Sequence, residues 1–170
     1  MATVFPRALW RGITKGCILE LPLGSIKLGL RLHQIIFVRL TMRKKPECYE
    51  FSTRMDQRGR LNFLEELKDV PFEVKRVYWL TGVPEQQVRG GHAHKTGEQV
   101  IVCIQGLVEV VLEDTAGELF TCTLSSPDQG LYIPPMWWGK MLFKEKAILL
   151  GLASDEFSEE DYIRQKADFK

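Results

Sequence analysis

The sequence is poor in the residues from which most metal and redox centres are built. It holds three histidines and four cysteines in 170 residues. The cysteines (Cys17, Cys48, Cys103 and Cys122) are far apart and form no C-x-x-C pair. That spacing argues against a ribbon-type zinc site and a thioredoxin-like centre. Cys103 and Cys122 sit in apolar runs, as buried free thiols do, so the expectation is a reduced, cytoplasmic protein without a disulfide framework. There is no G-x-G-x-x-G and no G-x-x-x-x-G-K-[ST]. A nucleotide, if bound, is therefore not held by a Rossmann or P-loop device. No apolar run approaches the length of a membrane span. The net charge is +1, which gives no overall field for a nucleic acid or an anionic membrane surface. No internal repeat or low-complexity tract is present.

Acidic residues are nearly absent from the first part of the chain. Up to residue 45, Arg7, Arg11, Lys15, Lys27, Arg31, Arg39, Arg43, Lys44 and Lys45 stand against Glu20 alone. This stretch has neither clean strand alternation nor a helical stripe, and it lacks the compact apolar segment and cleavage site of a targeting peptide. It reads as a basic extension of unknown role over 1–45, ahead of one domain over 46–170. Met42 is a candidate native start. The lone His33 belongs to this extension and reads as structural or solvent-facing.

From Cys48 the pattern changes to short, β-rich segments separated by turn signals. Residues 48–51, 72–83, 88–94, 100–104, 107–112, 119–124, 131–134, 140–143 and 147–153 read as strands. Asp56 to Gly59 and Asp114 to Gly117 read as turns, and Gln105-Gly106 as a turn between two strands. Roughly ten short strands with Gly and Pro between them predict an all-β sandwich or barrel. Glu159 to Phe169 reads as a short C-terminal helix, with Ser158 as its N-cap and acids in its first turn.

What the chain does have is Arg89-Gly-Gly-His-Ala-His-Lys95 leading into Gly97-Glu-Gln99 and an apolar strand. In a strand, residues i and i+2 face the same side, roughly 7 Å apart. His92 and His94 therefore project together, as half a metal site or as an acid/base pair. Cupin-type barrels that hold a metal add an acid seven residues before a glycine and a third histidine after a proline-rich turn. Counting back from Gly106 puts Gln99 in the acid's place, with Glu98 one residue out of phase. The turn Ile133-Pro-Pro-Met-Trp-Trp138 is followed by Gly139, which has no side chain to offer. Two histidines are too few ligands for a well-held Zn²⁺ or Fe²⁺, so the expectation is no metal and no cofactor. Arg76 and Tyr78 share a face on an earlier strand, and Arg89 precedes the pair. Such a lining suits an anionic, oxygen-rich ligand, with Gln99 and Trp138 as further contacts, although at least one of Trp137 and Trp138 belongs to the core. An imidazole can remove a proton beside a ketone near neutral pH, and a hydroxyl or a second imidazole can stabilise the enediolate.

Asp56-x-Arg58-Gly59-x-Leu61, Pro71-Phe72-x-x-Lys75-Arg76-Val77-Tyr78, Arg89-Gly90-x-His92-Ala93-His94-Lys95, Gly130-Leu131, Ala153-Ser-Asp155 and Asp161-Tyr-Ile-Arg164 together resemble the sugar-nucleotide 3,4-ketoisomerase family. The resemblance implies a cupin-type double-stranded β-helix, a jelly-roll barrel, in a homodimer. It implies an isomerase that moves the keto group of dTDP-4-keto-6-deoxyglucose from C4 to C3, on the way to a 3-amino-3,6-dideoxysugar of a surface glycan. A PLP-dependent aminotransferase would take the product. By position, His92 would be the base at C3, His94 the second acid/base group and Tyr78 a donor at the enediolate. Arg58, Arg76 and Arg89 would hold pyrophosphate or sugar oxygens, since guanidinium matches phosphate geometry. Two positions depart from the family pattern. Trp79 stands where members often have a second tyrosine, and Gly139 where some have histidine, which leaves the configuration at C4 open. The other readings of the same residues are a 4-keto sugar-nucleotide epimerase, a metal-dependent cupin and a non-catalytic sugar-binding cupin.

Overall fold

The computed structural model describes residues 44–170. The extension before Lys44, with His33, Cys17 and Met42, lies outside the described residues. Ten strands run through the described part: β1 (Glu47–Glu50), β2 (Thr53–Asp56), β3 (Gly59–Asn62), β4 (Arg76–Leu80), β5 (Val88–His94), β6 (Gln99–Asp114), β7 (Leu119–Leu124), β8 (Gln129–Ile133), β9 (Trp137–Ala153) and β10 (Tyr162–Ile163). Eight of them form one antiparallel sheet in the order β1-β8-β6-β9-β5-β10, with β4 added on β9 and β7 on β6. The β2–β3 hairpin is a separate two-stranded sheet.

Alternation along β6 and β9 sorts side chains into two packed layers, because successive residues of a strand point to opposite faces. Ile101, Cys103, Val108, Val110 and Leu112 of β6 meet Phe143 and Leu149 of β9, together with Leu124, Leu131 and Trp137, in the main core. Val100 and Val102 point the other way and pack with Phe51, Val70, Phe72, Tyr132 and Leu152. Gln99 has the phase of Ile101 and Cys103. Glu98 has the opposite phase, and its carboxylate accepts from the Tyr132 hydroxyl and from Lys44.

One expected turn and one expected strand break are bulges within long strands. β6 runs unbroken through Gln105-Gly106, and β9 replaces the two segments expected over 140–143 and 147–153. Their register shifts between Cys103 and Gln105 and again between Gln105 and Leu107. Gly106 has φ +77, and opposite it Glu145 and Lys146 also have positive φ. Bulges on both strands bend the pair together, so the chain curves around the barrel without reversing.

The expected C-terminal helix is absent. Glu159–Asp161 and Lys166–Asp168 are single 3₁₀ turns, and Ser158 makes no capping bond. Between them Tyr162 and Ile163 pair with His94 and Ala93. The acids that resembled a helical first turn include Asp161, which bonds to β5 and the loop after it. That tertiary contact overrides local propensity. Among the described residues, no helix is long and apolar enough to cross a membrane.

A Cβ at position 106 would lie 2.6 Å from the Ala147 Cα and 2.7 Å from the Glu145 carbonyl oxygen. Gly106→Ala therefore combines a positive φ with a backbone clash. A loss of roughly 2–4 kcal/mol is expected, to be read from urea unfolding against wild type.

Candidate active site

β5 delivers both histidines. Gly90 and Gly91 have φ +90 and +73, and the pairing of β5 with β9 shifts between Gly90 and His92. A side chain on Gly90 would come within 2.6 Å of the Gly139 carbonyl oxygen, so the bulge needs glycine there. Beyond it the strand alternates. Ala93 packs with Trp138, Ile163 and Phe169. The rings of His92 and His94 meet edge to face, 5.2 Å apart.

His94 is the centre of a hydrogen-bonded chain. Its Nδ1 lies 2.6 Å from Asp161 Oδ2, and its Nε2 lies 2.5 Å from Gln99 Nε2. The Tyr78 hydroxyl donates to Gln99 Oε1 at 2.6 Å. Asp161 Oδ1 accepts from the Thr96 amide at 2.8 Å, the Thr96 hydroxyl at 2.9 Å and the Gly97 amide at 3.3 Å. An ionised carboxylate only accepts, so the His94 proton belongs on Nδ1. Nε2 then presents a lone pair to the Gln99 amide, and the amide oxygen faces Tyr78. Network consistency assigns this tautomer.

The charges agree with that assignment. Burial, aided by the Arg76 and Arg164 charges, holds His94 below the ordinary imidazole range although Asp161 pulls the other way. Burial works to raise Asp161, but the Thr96 amide, His94 and the Thr96 hydroxyl outweigh it and hold the carboxyl at about 2. The couple is thus a neutral imidazole donating to a carboxylate. His92 is also held low, by burial first and then by His94, against a hydrogen bond to the Gly90 backbone. Burial pushes the Tyr78 phenol well above its ordinary value, so it remains a donor.

Tyr78 has room because Gly151 lies beneath it. A Cβ there would sit 2.1 Å from the ring. Arg76 stacks its guanidinium 5.7 Å from the Tyr78 ring and 5.6 Å from that of Phe157, and its buried Nε has no hydrogen-bond partner among the described residues. It is a cation beside the pair with a donor to spare.

Arg58, Arg89 and Trp138 are not brought to this cluster. Arg58 is exposed at the β2–β3 turn and forks onto Asp56. Arg89 is exposed on the far side of the β5 bulge and makes no described hydrogen bond. Trp138 has the phase of Ala93 and packs against Phe169 and the Lys166 ammonium. The tryptophan at the histidines is Trp137. With His92, His94, Gln99, Ile133, Gly139 and Met141 it lines a cavity of about 20 Å³, room for roughly one water. Anything larger than a water therefore meets the pair at the cavity's mouth. Trp79 is 66% exposed, so that departure from the family pattern faces away from Tyr78.

Reasoning from the sequence alone did not assign roles to Asp161, Thr96 or Tyr162. Tyr162 lies 5.0 Å from the His92 ring and 4.4 Å from the His94 ring, with the Arg164 guanidinium 4.4 Å from its own ring. The signal for them was the Asp161-Tyr-Ile-Arg164 motif, whose function a helical reading obscures. Among the described residues, no three His, Cys, Asp or Glu side chains converge to hold a metal ion.

The sequence profile of the WxcM-like, C-terminal (FdtA) family matches residues 44–170. The chain belongs to this family. It is 43% identical over 121 residues to the TDP-4-oxo-6-deoxy-alpha-D-glucose-3,4-oxoisomerase of Aneurinibacillus thermoaerophilus, covering 71% of this chain and 86% of that one. A point mutant of the 3,4-ketoisomerase QdtA from Thermoanaerobacterium thermosaccharolyticum, solved in complex with TDP-4-keto-6-deoxyglucose, is 36% identical. It superposes with a TM-score of 0.70 over 73% of this chain and 90% of that one. The WlaRB TDP-quinovose 3,4-ketoisomerase of Campylobacter jejuni is 38% identical, with a TM-score of 0.70 over 74% and 97% of the two chains.

Asp161 also ties stability to pH. Its carboxyl is lowered from 3.8 to about 2 on folding. The resulting stabilisation, on the order of 2 kcal/mol, is present above the unfolded value and is lost as pH falls through the folded one. Asp161→Asn should be less stable at neutral pH and should lose the part of the acid slope between pH 4 and 2 (limits approximate). Denaturant unfolding over that range reads both effects.

Proposed function

We propose that this protein is a sugar-nucleotide 3,4-ketoisomerase that moves the keto group of dTDP-4-keto-6-deoxyglucose from C4 to C3. The observation that carries the proposal is the joined set Tyr78–Gln99–His94–Asp161 with His92 beside it, in a chain of this family. On this reading residues 46–170 are the catalytic domain and residues 1–45 an extension. The enzyme works in the cytoplasm as a homodimer, and its 3-keto product is aminated by a PLP-dependent aminotransferase toward a 3-amino-3,6-dideoxysugar.

The two histidines have different surroundings and so take different parts. Both nitrogens of His94 are engaged, by Asp161 and Gln99. His92 is the more exposed ring and is neutral at pH 7 because its proton affinity is lowered. His92 takes the proton from C3, and the C–H electron pair becomes the C3–C4 double bond of an enediolate. The C4 oxygen gains negative charge and accepts a hydrogen bond from Tyr78 once that hydroxyl exchanges Gln99 for substrate; its raised pKa keeps it a donor rather than a proton source. The C3 hydroxyl proton then passes to the C4 oxygen, directly or through a water, as the carbonyl forms at C3, and C4 takes its proton from the His92 imidazolium or a group in exchange with it. His94 acts as the second acid/base group only by exchanging its Gln99 bond for one to substrate; otherwise it holds Gln99 and Tyr78 in place. Arg76, with its unpartnered donor, reaches for an oxygen of the sugar or pyrophosphate. Arg58 and Arg89 reach the nucleotide only if it extends well beyond the cluster or if a second chain presents them.

Incubation with the keto sugar nucleotide in D₂O should place deuterium on the ring and give a 3-keto product, both seen by NMR. A product inverted at a centre with the ketone still at C4 would mean an epimerase. His92→Asn should lower the rate by about 10²–10⁴-fold; wild-type turnover in that variant would remove His92 as the base.

The same assignment fixes the acid limb of the rate. A base whose folded pKa lies below 6.5 is active above that lowered value and is protonated below it. The pH profile of kcat/KM should therefore fall on the acid side with a midpoint under 6.5, and the limb should be lost with the residual activity of His92→Asn.

A further inference from the structure

The cluster above uses none of the three described cysteines. Cys103 lies in the barrel core, and its thiol donates to the Gln105 carbonyl at 3.1 Å. Cys48 and Cys122 stand in a different relation. They are 74 positions apart in sequence, yet their sulfurs lie 2.7 Å apart. Cys48 is on β1, whose register is with β8 alone. Cys122 is on β7, whose register is with β6. No described ladder joins β1 to β7. What links that side of the barrel is this thiol pair, with a Lys45–Glu118 ion pair at 2.7 Å beside it. Cys48 is exposed, and Cys122 is half-buried against the main core.

We propose that Cys48 and Cys122 are a redox-active dithiol that closes to an intrachain disulfide between β1 and β7 on reaction with a low-molecular-weight disulfide. Strand pairing on each side already brings the sulfurs together, and an S–S bond of about 2.05 Å is reached by side-chain movement. The chemistry proceeds in two exchanges. Cys48, as thiolate, attacks one sulfur of the small disulfide. That S–S bond breaks, one small thiolate leaves, and Cys48 carries a mixed disulfide. Cys122, as thiolate, then attacks the Cys48 sulfur and releases the second small thiolate. Two cysteine thiols are oxidised, one small disulfide is reduced to two thiols, and the two cysteine protons go to the departing thiolates.

The order follows from access. The small disulfide meets exposed Cys48 first. Burial, with Cys48 adding to it, pushes the Cys122 thiol up to about 12, which makes it a poor first nucleophile. In the second step its target is held against it, and proximity offsets the low thiolate fraction. In a reducing compartment the pair remains two thiols, in keeping with the expected absence of a disulfide framework. Once closed, the bond ties an edge strand to the barrel and constrains the long unfolded loop between the two cysteines.

The test uses the full chain, reduced and then treated with oxidised glutathione, alkylated in denaturant and digested for mass spectrometry. The expected result is a Cys48–Cys122 linked peptide pair that dithiothreitol reverses, a monomeric band on a non-reducing gel, and two free thiols fewer per chain. The thermal midpoint should rise by about 5–10 °C, with no rise in Cys48→Ser. Cys122→Ser should stop at the mixed disulfide on Cys48. Because Tyr78, His92, His94 and Gln99 lie on other strands and Asp161 in the tail, turnover of the keto sugar nucleotide should be retained by the oxidised form. Independent alkylation of both cysteines, glutathione persisting on Cys48 of the wild type, or a link only between chains would overturn the proposal.

Discussion

The Asp161 carboxylate is the contact on which the arrangement around the histidines depends. It lies in the tail, 67 positions from His94, and it gathers two amides, a hydroxyl and an imidazole. Being ionised, it can only accept, and that sets the sense of every bond beyond it. His94 must donate from Nδ1, Gln99 must donate to Nε2, and the Gln99 oxygen is left for Tyr78. One partly buried charge thus orients three strands' side chains. Its own burial is compensated because each lone pair in use meets an N–H or O–H, which is the condition for keeping a carboxylate out of water. The same contact draws Tyr162 and Ile163 onto β5, so the anchor for the proton on His94 also sets the ring that covers both histidines.

Much of this was legible in the sequence, and the failures have physical causes. The two-residue period put His92 and His94 on one face and Ala93 on the other. Counting from Gly106 put Gln99 in phase with the barrel interior and Glu98 out of phase. Both follow from strand geometry alone. Proximity in sequence was a poorer guide for Arg89, which precedes the pair but lies beyond the Gly90-Gly91 bulge and is exposed. The sequence reading also chose Trp138, whereas Trp137 shares the phase of Gly139 and Met141 along β9 and lines the cavity with them. The tail failed for another reason. Ser158 and the acids after it satisfy a helix signature locally, but Asp161 gains more from Thr96 and His94 than from a helix N-terminus. Contacts across more than 60 residues are invisible to a local pattern. Cys48 and Cys122 make the same point, distant in sequence and adjacent in the barrel.

Glycine does at this site what side chains do elsewhere. Gly151 leaves the space that the Tyr78 ring fills, and Gly90 lets β5 approach the Gly139 carbonyl closely enough to bulge. Gly139 itself pairs with His92 across β9 and lines the small cavity. Here the wall is bare backbone, and His92 has no polar side chain facing it from β9. The two histidines of one H-x-H motif are thereby made unequal. His94 is fixed at both nitrogens, while His92 is held only through the Gly90 backbone. In the ketone shift proposed above, this inequality divides the work. The group that carries a proton from one carbon to its neighbour must be free to gain and lose it, while the groups that receive charge on oxygen must already be aimed. Two identical imidazoles competing for the same proton would blur those tasks, and the Asp161–His94–Gln99–Tyr78 chain separates them by committing one imidazole and leaving the other uncommitted.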